Sequence, residues 1–269
     1  MSATYVITGG TDGIGAGLAR ALVERGDRVV VIGTDPRKGR RLVEETRGSA
    51  VFVKADLSLV SENRRVVEEL VADWPVIDGL VLCARFMRSR RAVTAEGFED
   101  NFALFYLSRL LMSYGLVGPL EKAERPVIVN VAGPGHDTPI AWDDLQSARQ
   151  YDLVQAMFMT GRLNDLLGVS FAERHSAGPV RYVLFHPGTT ATSYAGEFDP
   201  QTAANLRRQR SMAKPVSDVV PSLLRLLGDP PAAPLSAFNL SAELNVHSEL
   251  FSADDSARLS RLTDELLGT

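Results

Sequence analysis

Residues 8–15 read Thr-Gly-Gly-Thr-Asp-Gly-Ile-Gly, and few folds can use such a run. It follows the apolar residues Tyr5, Val6 and Ile7 and opens a helical stretch over 16–24. A strand that feeds glycines into a helix N-terminus makes a phosphate cradle. Gly9 permits the tight turn, Gly13 lets the backbone approach a pyrophosphate, and Gly15 lets the helix pack close on the sheet. The unpaired N–H groups of the first turn then face the anion. Thr8, Thr11 and Ile14 complete the loop, so the stretch predicts a bound dinucleotide. A plain glycine-rich turn is the weaker reading, because the strand, glycine and helix context is all present.

The rest of the chain keeps the rhythm that this start implies. Apolar strands are expected at 28–32, 50–54, 79–83, 126–132 and 180–185, alternating with helices at 61–74, 96–115 and 154–175. Strict alternation with short connections gives right-handed crossovers and an α/β fold, a doubly wound parallel sheet with helices on both faces. With 269 residues, 45% of them hydrophobic, one domain over 1–269 buries an ample core. Residues 189–215 hold little periodicity and read as a lid. An edge strand is expected at 237–240 and an amphipathic terminal helix at 254–267. A net charge of −4 argues against nucleic acid or an anionic membrane as partner. No apolar run reaches spanning length, and the single cysteine, Cys83, suits a reducing compartment, so a soluble cytoplasmic protein is expected. One Cys and four scattered His give no metal-ligand spacing.

The second strand ends in Gly33 and Thr34, where such folds commonly place an acid for the adenosine ribose. Arg37, Lys38, Arg40 and Arg41 follow, so a 2′-phosphate would be welcome and NADP(H) is preferred. Asp12 and Asp35 speak for NAD(H), and the basic run reads equally as a solvated helix start.

Taken together, the sequence resembles the short-chain dehydrogenase/reductase family. Thr8, Gly9, Gly13 and Gly15 look like its cofactor loop, and Asp56 with Leu57 like its adenine contact. Pro187 and Gly188 with Thr192 look like the segment that positions the nicotinamide carboxamide. Three further stretches, beginning at Thr94, Trp142 and Leu259, are similar to the retinol-dehydrogenase branch. The resemblance implies a Rossmann fold and, through pairing of two long helices between subunits, a homodimer or homotetramer.

The family's chemistry rests on an Asn, a Ser, a Tyr and a Lys, and this chain departs from all four. Phe105 stands for the Asn, and Asn130-Val131-Ala132-Gly133 lacks both serines of the corresponding strand end. Tyr151 is tempting as the Tyr but has Gln155 four residues on. A gapless alignment anchored on Trp142 and Asn164 is preferred, and puts Met157 and Gly161 at the Tyr and Lys positions. Losing a positioned general acid costs about two to four orders of magnitude in rate. His136, beside Asp137, and Tyr106 are the best replacement donors; Tyr151 and Tyr194 are weaker. Phe105 and Met157, with Phe86, Trp142 and Tyr194, favour a flat hydrophobic small-molecule substrate. Arginines at 85–91 and 207–210 leave room for an anionic substituent, though solvated loops explain them as well. The expectation is an atypical NADP(H)-dependent oxidoreductase acting on a hydrophobic carbonyl. The alternatives are a redox-neutral cyclase or isomerase that keeps the nucleotide structurally, and a silent binding protein.

Overall fold

The computed structural model describes residues 2–268. Its strands are β1 (Thr4–Thr8), β2 (Arg28–Gly33), β3 (Ala50–Lys54), β4 (Gly79–Leu82), β5 (Met87–Arg88), β6 (Val127–Val131), β7 (Arg181–His186), β8 (Gly196–Glu197), β9 (Leu235–Asn239) and β10 (Ala242–Glu243). The helices are α1 (Gly13–Glu24), α2 (Pro36–Glu45), α3 (Val60–Asp73), α4 (Asp100–Phe102), α5 (Ser108–Gly115), α6 (Val117–Leu120), α7 (Leu153–Arg174), α8 (Pro200–Ser211), α9 (Val220–Gly228) and α10 (Ala253–Leu267). The main sheet has the order β10-β9-β7-β6-β4-β1-β2-β3 and is parallel except for β10. Strand order reverses between β1 and β4, which opens a crevice beyond their carboxyl ends.

Alternation along each strand divides the core in two. Val6, Val30, Leu80, Ile128 and Leu184 point to the layer of α3, α5, α7 and α10. Tyr5, Ile7, Val29, Val31, Val81 and Val183 point to α1, α2 and α9. Burial on both faces is why these strands read as continuous apolar runs.

Three expectations need correction, and one helix is more enclosed than its sequence suggested. The helix expected over 96–115 begins only at Asp100, because the Glu99 carboxylate caps it by accepting from Asn101 N (3.0 Å) and Phe102 N (2.7 Å). It then passes through a π-helical turn, Ala103–Leu107. The strand expected at the sheet edge is β9, which pairs with both β7 and β10 and so lies one place inside. The segment 189–215 is not without regular structure. It contains β8, paired with β5, and the twelve-residue α8, started by Asp199 and Pro200. Finally, every residue of α7 from 159 to 171 is buried. The sheet covers one side, and α5 and α10 cover others, with Ser256 Oγ donating to Leu166 O (2.8 Å).

The stretches that carry the branch resemblance act as braces. Glu96 receives the Val60 N–H and the Ser61 N–H (3.0 Å), capping α3 from 35 residues away. The Asn101 amide donates to Ala156 O (3.2 Å) and Thr160 Oγ1 (3.1 Å), pinning α4 to α7. The Arg258 guanidinium lies 4.4 Å from the Trp142 ring centroid.

Candidate functional site

The glycine loop lies in the crevice, and each glycine has a steric reason. Gly9 has φ +66°, and a Cβ there would lie 2.7 Å from Ala84 Cα. A Cβ on Gly15 would meet Gly9 O at 2.5 Å, so the helix could not pack as it does. Gly13 has φ +51° and faces Thr192, whose methyl carbon would sit 3.0 Å from an added Cβ. The first intrahelical bond of α1 is Ala16 N to Asp12 O (3.1 Å), so the Ile14 and Gly15 N–H groups precede the ladder. Gly13 N donates instead to Asp12 Oδ1 (2.7 Å). Burial pushes the Asp12 carboxyl up, but hydrogen bonds from Lys38, Ser193 and Gly13 N outweigh it and hold the group below its ordinary value. Thr192 and Ser193 therefore close over the cradle from the far side. Thr8 also serves the turn, its hydroxyl accepting from Ala84 N (3.2 Å).

At the ribose end, Thr11 Oγ1 would lie 2.8 Å from a Cβ on Gly33, so Thr11 fills the space a side chain at 33 would need. Asp35 is spent as the cap of α2, accepting from Arg37 N (2.8 Å). Asp12 is paired to Lys38. Thr34 and Arg37 remain exposed on the rim. Beyond β3, Asp56 accepts from Ser58 N (3.0 Å) and Ser58 Oγ (2.7 Å), while Leu57 is buried and offers only backbone to the crevice. At the other end, Pro187 follows β7, Gly188 turns at φ +74°, and a bridge between Thr190 and Lys214 ties the loop down. The loop glycines, Thr192, Thr34 and Arg37 thus line one crevice.

The candidate proton donors separate. Tyr106 is a correction: it is fully buried against Phe102, and its hydroxyl bonds Thr263 Oγ1 (2.8 Å) under α10, away from the crevice. Burial also pushes its phenol well up. The residue before it on the π-helical turn, Phe105, is buried against the Arg109 guanidinium. Tyr151 donates to Arg88 O (3.0 Å) and belongs to the outer ribbon. His136 is exposed on the loop after β6, stacked on Phe158 (3.9 Å between centroids, 17°), with Nδ1 bonded to Thr138 Oγ1 (2.7 Å). Burial pushes the Cys83 thiol up to about 12, leaving it neutral. Gly133 and Gly161 are neighbours, an added Cβ on Gly161 lying 3.5 Å from Gly133 O.

A buried polar network went unseen in the sequence. Arg109, 2% exposed, donates to Asn130 Oδ1 and to Val131 O (2.9 Å). Asn130 Nδ2 donates to Asn164 Oδ1 (2.9 Å) and the Tyr182 hydroxyl (2.9 Å). Asn164 Nδ2 donates to Phe105 O (2.7 Å), a carbonyl within the π-helical turn. The spacing of Arg109, Asn130, Asn164 and Tyr182 carries no local motif, so only their convergence in the fold reveals them.

An α/β sheet with a glycine turn at its switch point defines a doubly wound nucleotide-type fold, and sequence comparison narrows it. A model described as short chain dehydrogenase matches residues 3–142, and the chain belongs to that family. Retinol dehydrogenase 12 from Bos taurus is 32% identical over 189 residues, covering 68% of this chain and 60% of that protein. The match thus spans about 60% of that relative's length. Among solved structures, an uncharacterized protein from Mycobacterium paratuberculosis matches with TM-score 0.78 at 23% identity, over 99% of this chain and 94% of that one. A short-chain dehydrogenase/reductase from Burkholderia multivorans with bound NADP matches with TM-score 0.64 at 19% identity, over 89% and 97%. Among the described residues no helix is long and apolar enough to cross a membrane.

Proposed function

We propose that this chain is an oxidoreductase that binds NADP(H) in preference to NAD(H) beside α1 and acts on the carbonyl of a hydrophobic small molecule. The observation that carries the reading is the turn Gly9, Gly13, Gly15, where a Cβ would strike backbone at Gly9 and Gly15 and Thr192 at Gly13. The nicotinamide, when bound, exchanges the hydride. The chain's own residues do the rest. Ile14 and Gly15 N–H groups hold the anion, Thr34 and Arg37 receive the 2′-phosphate, and Asp56 with the Leu57 backbone borders the adenine. Pro187, Gly188 and Thr192 orient the ring.

In the gapless alignment preferred above, Met157 and Gly161 take the positions of the family's Tyr and Lys, so proton transfer falls to another group. His136 is the proposed donor, its ring held by stacking on Phe158 and by the Thr138 bond. The same alignment favours a second reading. Apolar Phe105 and Met157 in place of polar catalytic groups suit a redox-neutral isomerase or cyclase, or a binding protein, holding the dinucleotide as a structural part.

A single assay separates these. The protein is mixed with NADPH and a panel of flat hydrophobic ketones and quinones, and reduced-nicotinamide absorbance is followed beside product analysis. Turnover with loss of absorbance supports the oxidoreductase. Conversion without that loss supports the redox-neutral enzyme, and binding without conversion supports the silent protein.

A further inference from the structure

Two guanidinium groups lie against the ring of Phe105, Arg109 Cζ at 3.9 Å and Arg85 Cζ at 4.9 Å from its centroid. Phe105 is itself buried, immediately beyond the ends of β4 and β6. Arg109 has only neutral partners, Asn130 Oδ1, Val131 O and Ala84 O (3.5 Å), and its Nε has none. Neither arginine joins any of the salt bridges among the described residues. Their neighbour Arg88 shows the usual arrangement: it also lies on a ring, that of Phe86, but is paired with both Asp100 and Glu197. A buried cation without a counter-charge, such as Arg109, is costly, and an aromatic face does not neutralise it.

The third element is Tyr194. It holds the left-handed backbone conformation, φ +46°, with its N–H on Thr192 Oγ1 (3.3 Å). Its hydroxyl is buried and has no hydrogen-bond partner. Met87 N donates to Ala195 O (3.1 Å) and β5 pairs with β8, so the segment carrying Arg85 runs beside the one carrying Tyr194. Arg85 is exposed. A donor without an acceptor, an exposed guanidinium group and a buried positive charge against one apolar ring all call for the same missing chemistry.

We propose that this corner is an anion subsite, in which Arg85 and the Tyr194 hydroxyl receive the carboxylate of an otherwise apolar aromatic or alkyl ligand lying beside Phe105, with Arg109 as the charge beneath. It deepens the substrate class proposed above and rests on that reading. Arg85 and Tyr194 are the specificity-determining residues. Arg109, held in the polar network, is a positioning residue.

The test uses the whole chain and two isosteric probes, 2-naphthoate and 2-naphthamide, titrated calorimetrically at low and high salt, with NADPH titrated in parallel. Naphthoate is expected to bind at least tenfold more tightly than naphthamide, with the advantage shrinking at high salt. Arg85→Gln and Tyr194→Phe are each expected to weaken naphthoate severalfold and leave naphthamide and the melting temperature unchanged, while Arg85→Lys recovers part of the loss. Equal affinity for the two probes, no binding of naphthoate, or naphthoate binding indifferent to Arg85→Gln overturns the subsite. Loss of NADPH binding with the naphthoate preference intact overturns the oxidoreductase reading and leaves the subsite standing.

Discussion

Arg37 and Thr34 stand at the rim, where Asp35 caps α2 and lies 3.6 Å from Arg37 Nε, and Asp12 is tied to Lys38. Replacing a charge-assisted contact of this kind costs about 1.5–3 kcal/mol, so Arg37→Ala should weaken NADPH at least about tenfold and leave NADH within a factor of two. Fluorescence titration of both nucleotides checks it. The charge pattern was legible here, but its meaning was not. The sequence placed two acids near the ribose, and only the geometry shows that both are already occupied. A second single-residue effect concerns Asp165, whose Oδ2 accepts from Gly135 N (3.0 Å) and Arg162 Nη1 (2.7 Å) while Oδ1 has no partner. Burial pushes its carboxyl from 3.8 up to about 7 against those bonds. Folding therefore binds a proton between those values, and the stability this group contributes is present at the acid end and lost as pH rises toward about 7. Urea midpoints at pH 5 and pH 8 should fall more steeply for the native chain than for Asp165→Asn. An identical slope would remove the group from the account.

At the scale of elements, the alternation of apolar strands with helices was readable because both sheet faces are covered, and the boundaries of α7 and α10 fell within a residue of expectation. Two elements were not readable, for opposite reasons. Helix α8 buries none of its residues, so it has no apolar stripe for periodicity to detect, and its only signal was the Asp199-Pro200 start. The π-helical turn is written in no local pattern. Its Phe105 carbonyl accepts from Asn164, 59 residues away, and both Phe105 and Tyr106 are buried. Asn164→Leu would strand this carbonyl and Asn130 together. A loss of about 1–3 kcal/mol per stranded group in urea unfolding is expected, with a smaller effect if the turn relaxes to regular helix.

For the molecule as a whole, α10 is the element that decides how the rest is enclosed. Leu259, 2% exposed, packs it into the core, and Tyr106 with Thr263 and Ser170 with Ser260 stitch it to the helices beneath. Leu259→Ala should cost about 2–5 kcal/mol as a cavity, read from denaturant unfolding. A chain that keeps its stability would show that α7 is covered by something else. The glycine loop at one end of the sheet and the covering helix at the other answer to different demands, ligand and core. The loop could therefore be recognised from eight residues, whereas the cover needed the assembled fold. The account turns on a nicotinamide dinucleotide lying against α1, and equilibrium titration of NADPH into the native chain and into Gly13→Val tests that most directly. Saturable binding of one nucleotide per chain, abolished by the valine, is the predicted result; no binding to the native chain, or binding that the valine leaves untouched, would contradict it.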